Sequence, residues 1–166
     1  MERTGAPKVD LVGFSAGSIV VRSYLATKAG AEEAHRLVLL GAPNHGAAIA
    51  SVALSTEPAA CTAACAELAR RSSYLQNLNS RPAPKGVSIV SIWTADDMVV
   101  IPPTSAVLPG ATNIEIQSVC PQANVAHGDL VFDPVAIGLT IEALQGKTDH
   151  LQSCRHVQRL GTAALS

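Results

Sequence analysis

Aromatic residues make up only 3% of the 166 residues, so aliphatic side chains and alanine must pack any core. Charge is scarce too. Charged side chains amount to 15% and nearly cancel, leaving a net charge of −1. A nucleic-acid binder needs a basic face, and this composition does not supply one. A disordered chain needs low hydrophobicity and high charge, which 48% apolar content argues against. No apolar run approaches the roughly 20 residues that span a bilayer. The opening MERTGAPKVD has no apolar segment of signal-peptide type, so nothing in the chain directs export.

What is present fits one domain by length. The four cysteines, Cys61, Cys65, Cys120 and Cys154, are an even set compatible with two disulfides in an oxidising compartment. Four cysteines permit about three pairings, and spacing does not choose among them. A zinc site is disfavoured, because Cys61-x3-Cys65 has no second paired motif and no histidine at ligand spacing.

Four segments read as strands: Val9–Val12, Arg36–Leu40, Val87–Trp93 and Asn113–Val119. The second is closed by the breaker cluster Gly41-Ala42-Pro43-Asn44, and the third follows the proline-rich Arg81-Pro82-Ala83-Pro84. Helical patterns cover Ser18–Thr27 and the alanine-rich Cys61–Arg71, whose terminal arginines suit a helix C-terminus. A third helix opens at Asp133-Pro134, with aspartate as N-cap and Ile137, Ile141 and Leu144 on one stripe. Alternating strands and helices imply an α/β fold with a mostly parallel sheet flanked by helices. Residues 146–166 show no clear period and form a tail of unassigned structure.

Gly13-Phe14-Ser15-Ala16-Gly17 fits G-x-S-x-G. The pentapeptide alone is weak, but here it follows an apolar strand and opens a helix. That sharp turn lifts a serine hydroxyl clear of the sheet, and glycines on either side are expected to relieve backbone clashes. The Ala16 N–H, at a helix N-terminus, is aimed at the same point and suits an oxyanion. The alternative is a glycine-rich turn without chemistry. Phosphate binding is disfavoured, because the lysine of a P-loop is absent.

A nucleophilic serine needs a base, and the base needs a carboxylate behind it. On this kind of fold the order is Ser, then Asp or Glu, then His, with the groups gathered beyond strand ends. Asp97 follows the third strand and His127 follows the fourth. Asp96 competes for the acid role, and either aspartate could simply cap its own turn. His45, in Pro43-Asn44-His45-Gly46, could border the site but precedes the acid in sequence. His35 reads as solvated, and His150 and His156 lie in the tail.

Together VDLVGFSAG at Val9–Gly17, LGAPNHG at Leu40–Gly46, Asp97-Met98-Val99-Val100 and Val125-Ala126-His127-Gly128 resemble the secreted bacterial lipases of the α/β-hydrolase superfamily. The closest resemblance is to the actinobacterial and Bacillus-type class 2 triacylglycerol lipases. It covers Gly5 to about Leu144. The resemblance implies Ser15 as nucleophile, Asp97 as acid and His127 as base, and it ranks Asp97 over Asp96 because an apolar pair follows the acid. It further implies a lipid or ester substrate, no metal or organic cofactor, and an extracellular location. Phe14 stands where the family usually has His, and Ser18 where Gly is common.

The family pattern places several strands before the nucleophile strand, whereas Val9 lies close to the start of this sequence. The expectation is therefore a partial α/β-hydrolase fold lacking N-terminal strands. Residues 1–145 would form its triad-bearing part and 146–166 the tail. Val9–Val12 would be an exposed edge open to self-association, and one oxyanion donor would be missing, which would weaken activity. Alternatives are a thioesterase or other acyl hydrolase, a non-catalytic remnant, and a fragment that completes its sheet with a second polypeptide. No nucleic-acid partner and no transmembrane segment are expected.

Overall fold

The structure, a computed structural model, describes residues 4–149 and 152–166. His150 and the first three residues of the N-terminal decapeptide lie outside the described residues. Four parallel strands form one sheet in the order β1-β2-β3-β4: Val9–Phe14, Ala34–Leu40, Ser88–Trp93 and Thr112–Glu115. Register runs Val12 to Val38, Val38 to Val90 and Ile92 to Ile114.

Strand β2 explains the architecture. Its run Leu37-Val38-Leu39-Leu40 is wholly buried because both faces of the sheet are covered. Successive side chains alternate across a strand. Leu37 and Leu39 meet Leu25 and Val21 of helix α1 (Ala16–Leu25) on one face. Val38 and Leu40 join Val90, Ile92 and Ile114 on the other, against Val135, Ala136 and Leu139. Strand β1 is at the sheet edge among the described residues and pairs with β2 alone; its Val12 is 46% exposed.

Between β1 and β2, α1 is followed by α2 (Lys28–Glu33), capped by the Thr27 side chain. Between β2 and β3 lie α3 (Ala48–Thr56), α4 (Ala63–Glu67) and α5 (Ser73–Asn79). The helix expected over Cys61–Arg71 is thus shorter, and its arginines fall outside it. Ala69 forms a parallel bridge with Ala47, and Ser51 Oγ accepts the Arg70 N–H at 2.8 Å. Those bonds pull the chain out of the helix, and Arg71 turns into the left-handed region at φ 62°.

The expected fourth strand is also too long. It ends at Glu115, and Ile116–Val119 form a helical turn, α6. Gln117 anchors that turn: its Oε1 accepts the Ala95 N–H at 3.0 Å, and its Nε2 donates to Thr94 Oγ1 and Asp96 Oδ2, each at 2.9 Å. Helix α7 (Pro134–Leu144) begins as expected, with Asp133 Oδ1 accepting the Val135 and Ala136 N–H groups. Its buried face differs from the expected stripe. Ile137, Ile141 and Leu144 are half-buried, while Val135, Ala136, Leu139 and Ala143 are buried. Two neighbours cause this, the sheet on one side and α8 (Cys154–Leu165) on the other.

Helix α8 arises in the tail that showed no clear period. Gly138 and Gly161 let the two helix backbones touch, since a Cβ at either would strike the carbonyl of Val157 or Pro134. Disulfides join Cys61 to Cys65 and Cys120 to Cys154, and the second ties α8 to the end of α6. No helix among the described residues is long and apolar enough to cross a membrane.

Candidate active site

Ser15 sits where β1 turns into α1, at φ 51° and ψ −128°. A non-glycine residue held there stores about 1–3 kcal/mol of strain. The surroundings fix it. Its N–H donates to Leu40 O at 2.8 Å, continuing the β1–β2 ladder, and its carbonyl accepts the Ser18 N–H at 2.9 Å. Its hydroxyl makes no capping bond to its own helix.

The two flanking glycines are not equivalent. A Cβ on Gly13 would stand 2.6 Å from Ser18 Cα and 2.7 Å from Val21 Cγ2, so glycine is required there. A Cβ on Gly17 would meet nothing within 4 Å. The expected steric need for both is corrected to Gly13 alone. Ser18, standing where the family favours glycine, donates its hydroxyl to Gly13 O at 2.8 Å and so reinforces the bend.

Ser15 Oγ lies 2.9 Å from His127 Nε2, and His127 Nδ1 lies 2.7 Å from Asp97 Oδ2. The carboxylate can only accept, so Nδ1 carries the proton and Nε2 accepts from the serine hydroxyl. Asp97 is 3% exposed. Burial pushes its pKa up, but the hydrogen bonds from His127 and from the Val100 and Val99 N–H groups outweigh that, aided by the imidazole's charge. The net result is a pKa below the ordinary 3.8. Both backbone donors reach Oδ1 at 2.8 Å, leaving Oδ2 for the imidazole.

Asp96, the competing acid, faces elsewhere. Its Oδ2 accepts from Gln117 and from the Val125 N–H at 3.3 Å, bracing the loop that leads to His127. His127 does not follow its strand directly. Residues 116–126 intervene, and His127 opens a 3-10 turn, His127–Val131, in which Asp129 Oδ2 accepts the Ala126 N–H. Phe14 packs on the His127 ring, centroids 5.1 Å apart. The Ala16 N–H is the first of α1 and has no partner within the helix, so it is free to donate beside the serine.

The other histidines among the described residues stand apart. His45 is exposed, with Nε2 3.1 Å from Val107 O. His35 pairs with Asp10 at 3.1 Å. His156 Nε2 lies 3.4 Å from the buried Glu142 carboxylate. Among the described residues no group of three or more His, Cys, Asp or Glu side chains could hold a metal ion.

The sequence reading overlooked the support behind the His127 ring. Buried Arg22 donates to Asn44 Oδ1 at 3.0 Å and Asn79 Oδ1 at 2.9 Å. Desolvation lowers its pKa to about 10, against an opposing charge effect of Tyr74. Asn44 Nδ2 donates to Ala106 O at 2.7 Å, and Asn79 Nδ2 to Asn44 O at 2.9 Å. This network fixes the loop after β2, where Gly41 (φ 53°) leaves room for the His127 ring; a Cβ there would sit 3.2 Å from Cε1. The signal was a charged residue inside the apolar stripe Ser18, Ile19, Arg22, Leu25 of α1. Exposed apolar side chains flank the site in sequence: Met98 and Val99 beside Asp97, and Phe132 after the His127 turn.

A parallel sheet covered on both faces, with a strand–serine–helix bend and the other polar groups beyond its strand ends, defines an α/β-hydrolase fold. The family described as lipase (class 2) matches residues 1–139, and the chain belongs to it. Solved structures agree on the fold. Lipase B of Aspergillus fumigatus superposes with a TM-score of 0.73 at 18% identity, over 95% of this chain and 45% of that one. The metagenomic carboxyl esterase MGS0156 gives 0.56 at 16%, over 94% and 55%. MGS-MChE2, an α/β hydrolase from the metagenome of lagoon sediments at Mar Chica, Morocco, gives 0.54 at 21%, over 90% and 66%. The chain thus spans about half to two thirds of the length of these structures. No curated protein matches the sequence.

Proposed function

We propose that this chain hydrolyses carboxylic esters, with lipid-derived esters as the substrate class, through an acyl-enzyme on Ser15. The observation that carries this reading is the unbroken hydrogen-bond chain from Ser15 Oγ to His127 to Asp97, at 2.9 and 2.7 Å. His127 Nε2 takes the hydroxyl proton as Oγ attacks the ester carbonyl carbon. Asp97, ionised because its pKa is held low, stabilises the imidazolium that results. The oxyanion accepts from the Ala16 N–H. His127 then returns the proton to the departing alcohol. A water molecule, deprotonated by the same nitrogen, attacks the acyl-enzyme, releasing the acid and restoring Ser15.

An extracellular setting accords with both disulfides, which persist in oxidising compartments. Exposed Met98, Val99 and Phe132 suit an apolar substrate.

The test is labelling with a small fluorophosphonate, read by peptide mass spectrometry. A single adduct on Ser15, absent from Ser15→Ala, is expected. An intact folded protein that takes up no label would favour a non-catalytic role.

A further inference from the structure

A pocket away from Ser15 lies between the end of α1, the segment after α5 and the turn before β4. Arg22 and Arg81 both line it, and no carboxylate does. Acidic residues outnumber lysine and arginine in the whole sequence, 13 to 12, so this excess of positive charge is local. The rest of the lining, apart from Asn79, is aliphatic, proline or glycine.

Arg22 is 7% exposed. Its Nη1 donates to Asn44 Oδ1 and its Nη2 to Asn79 Oδ1, and both partners are neutral amides. Asn79 lines the pocket as well, so the charged head of Arg22 lies against it, and not only the stem. The Arg22 Nε–H has no partner among the described residues. Amides satisfy hydrogen bonds but leave the charge uncompensated, and a buried charge without a counterion is costly. That cost is what draws the guanidinium down to about 10. Arg81, at the exposed rim, is held by Asn77 Oδ1, which accepts from its Nε at 3.2 Å and Nη2 at 3.1 Å. Neither arginine forms an ion pair among the described residues. Glu67 shares a neighbouring groove with Arg81 but does not line this pocket. Ala83 and Gly110 line it too, each with a backbone N–H that has no partner among the described residues.

We propose that this pocket binds a small oxyanion, a carboxylate or phosphate head, between Arg22 at its buried end and Arg81 at its mouth. The planar fork of a guanidinium matches both heads, and the apolar lining strengthens the attraction by excluding water. The test is a titration of the ¹⁵N-labelled full chain with sodium phosphate and, separately, with sodium acetate, while sodium chloride keeps the ionic strength constant. Arginine Nε–H and backbone N–H resonances are the readout. The Arg22 Nε–H is expected to shift with saturation in at least one arm, together with Ala83 and Gly110. Arg70, Arg155 and Arg159, which do not line the pocket, should not follow that curve. Saturation with phosphate alone assigns a phosphate head, with acetate alone a carboxylate, and with both the chemistry they share. Arg81→Gln, at an exposed position, is expected to raise Kd about fivefold, the worth of one unit charge at contact in water. No shift at Arg22, a shift that grows linearly without saturating, equal shifts at all arginines, or an unchanged Kd in Arg81→Gln would overturn the site.

Discussion

Asp97→Asn isolates what the acid contributes, because the substitution changes the chemistry and little else. Asp97 uses its two oxygens separately. Oδ1 accepts the Val99 and Val100 N–H groups at 2.8 Å, and Oδ2 accepts the His127 Nδ1 proton at 2.7 Å. The asparagine carbonyl can keep the two backbone donors, which turns its NH2 toward the imidazole. Nδ1 must then accept, so the ring proton moves to Nε2 and faces Ser15 Oγ. In that tautomer the base has no lone pair for the serine proton. In the serine-protease triad this change lowers kcat by about 10⁴, or about 5 kcal/mol of transition-state stabilisation. The same loss is expected here, in the fluorophosphonate labelling rate and in ester hydrolysis alike. Circular dichroism and the melting temperature should show the fold retained. A variant that keeps more than a tenth of the wild-type rate while folded would refute the assignment of Asp97 as the group that sets the His127 tautomer.

Further outcomes follow from the geometry. Gly13→Ala drives a Cβ to 2.6 Å from Ser18 Cα and should destabilise by about 1–3 kcal/mol in urea unfolding, whereas Gly17→Ala meets nothing and should be neutral or stabilising. Removing Cys120–Cys154, which closes a separation of 34 residues, should cost about 4 kcal/mol on loop entropy; removing Cys61–Cys65, separated by 4, should cost about 2 kcal/mol, both measured by denaturant titration. Because Asp97 is held below its ordinary 3.8, its contribution to stability is fully present above that value and lost as pH falls through the lowered one. Asp97→Asn should therefore lose part of the acid-side slope of stability against pH, as thermal melts across that range would show.

Much of the architecture was legible because short-range rules and tertiary demands agree. Arg36–Leu40 reads as a buried strand, and the doubly covered sheet makes it one. Gly13–Gly17 sits between a strand and a helix, and the bend forms there. Ser15, Asp97 and His127 were picked out by order and by position after strands, and the structure brings those three side chains together. Where the reading failed, a long-range contact decided. Ile114 and Ile116 alternate like a strand, but Gln117 binds the Thr94–Asp96 turn and winds the chain after Glu115. The Ala47–Ala69 bridge cuts α4 short, and no local propensity announces it. The stripe of α7 was misjudged because α8 buries a second side of that helix. Helix α8 does carry an amphipathic period, with Val157 and Gly161 buried on one face, and the sequence reading missed it. The disulfide pairing depends on which elements become neighbours, which cysteine spacing does not encode.

Ser15 hangs from β1, while Asp97 and His127 are held by loops after β3 and β4. Strand β1, like β4, is an edge of the four-stranded sheet and among the described residues is bonded on one side only. An opening that peels β1 from β2 would carry the hydroxyl away from Nε2 and leave the cluster around Val38, Ile92 and Leu139 packed. Ser15 thus rides on an edge strand, whose amides should exchange with solvent before those of β2 and β3. On gentle heating, the capacity to react would fade before the molecule melts.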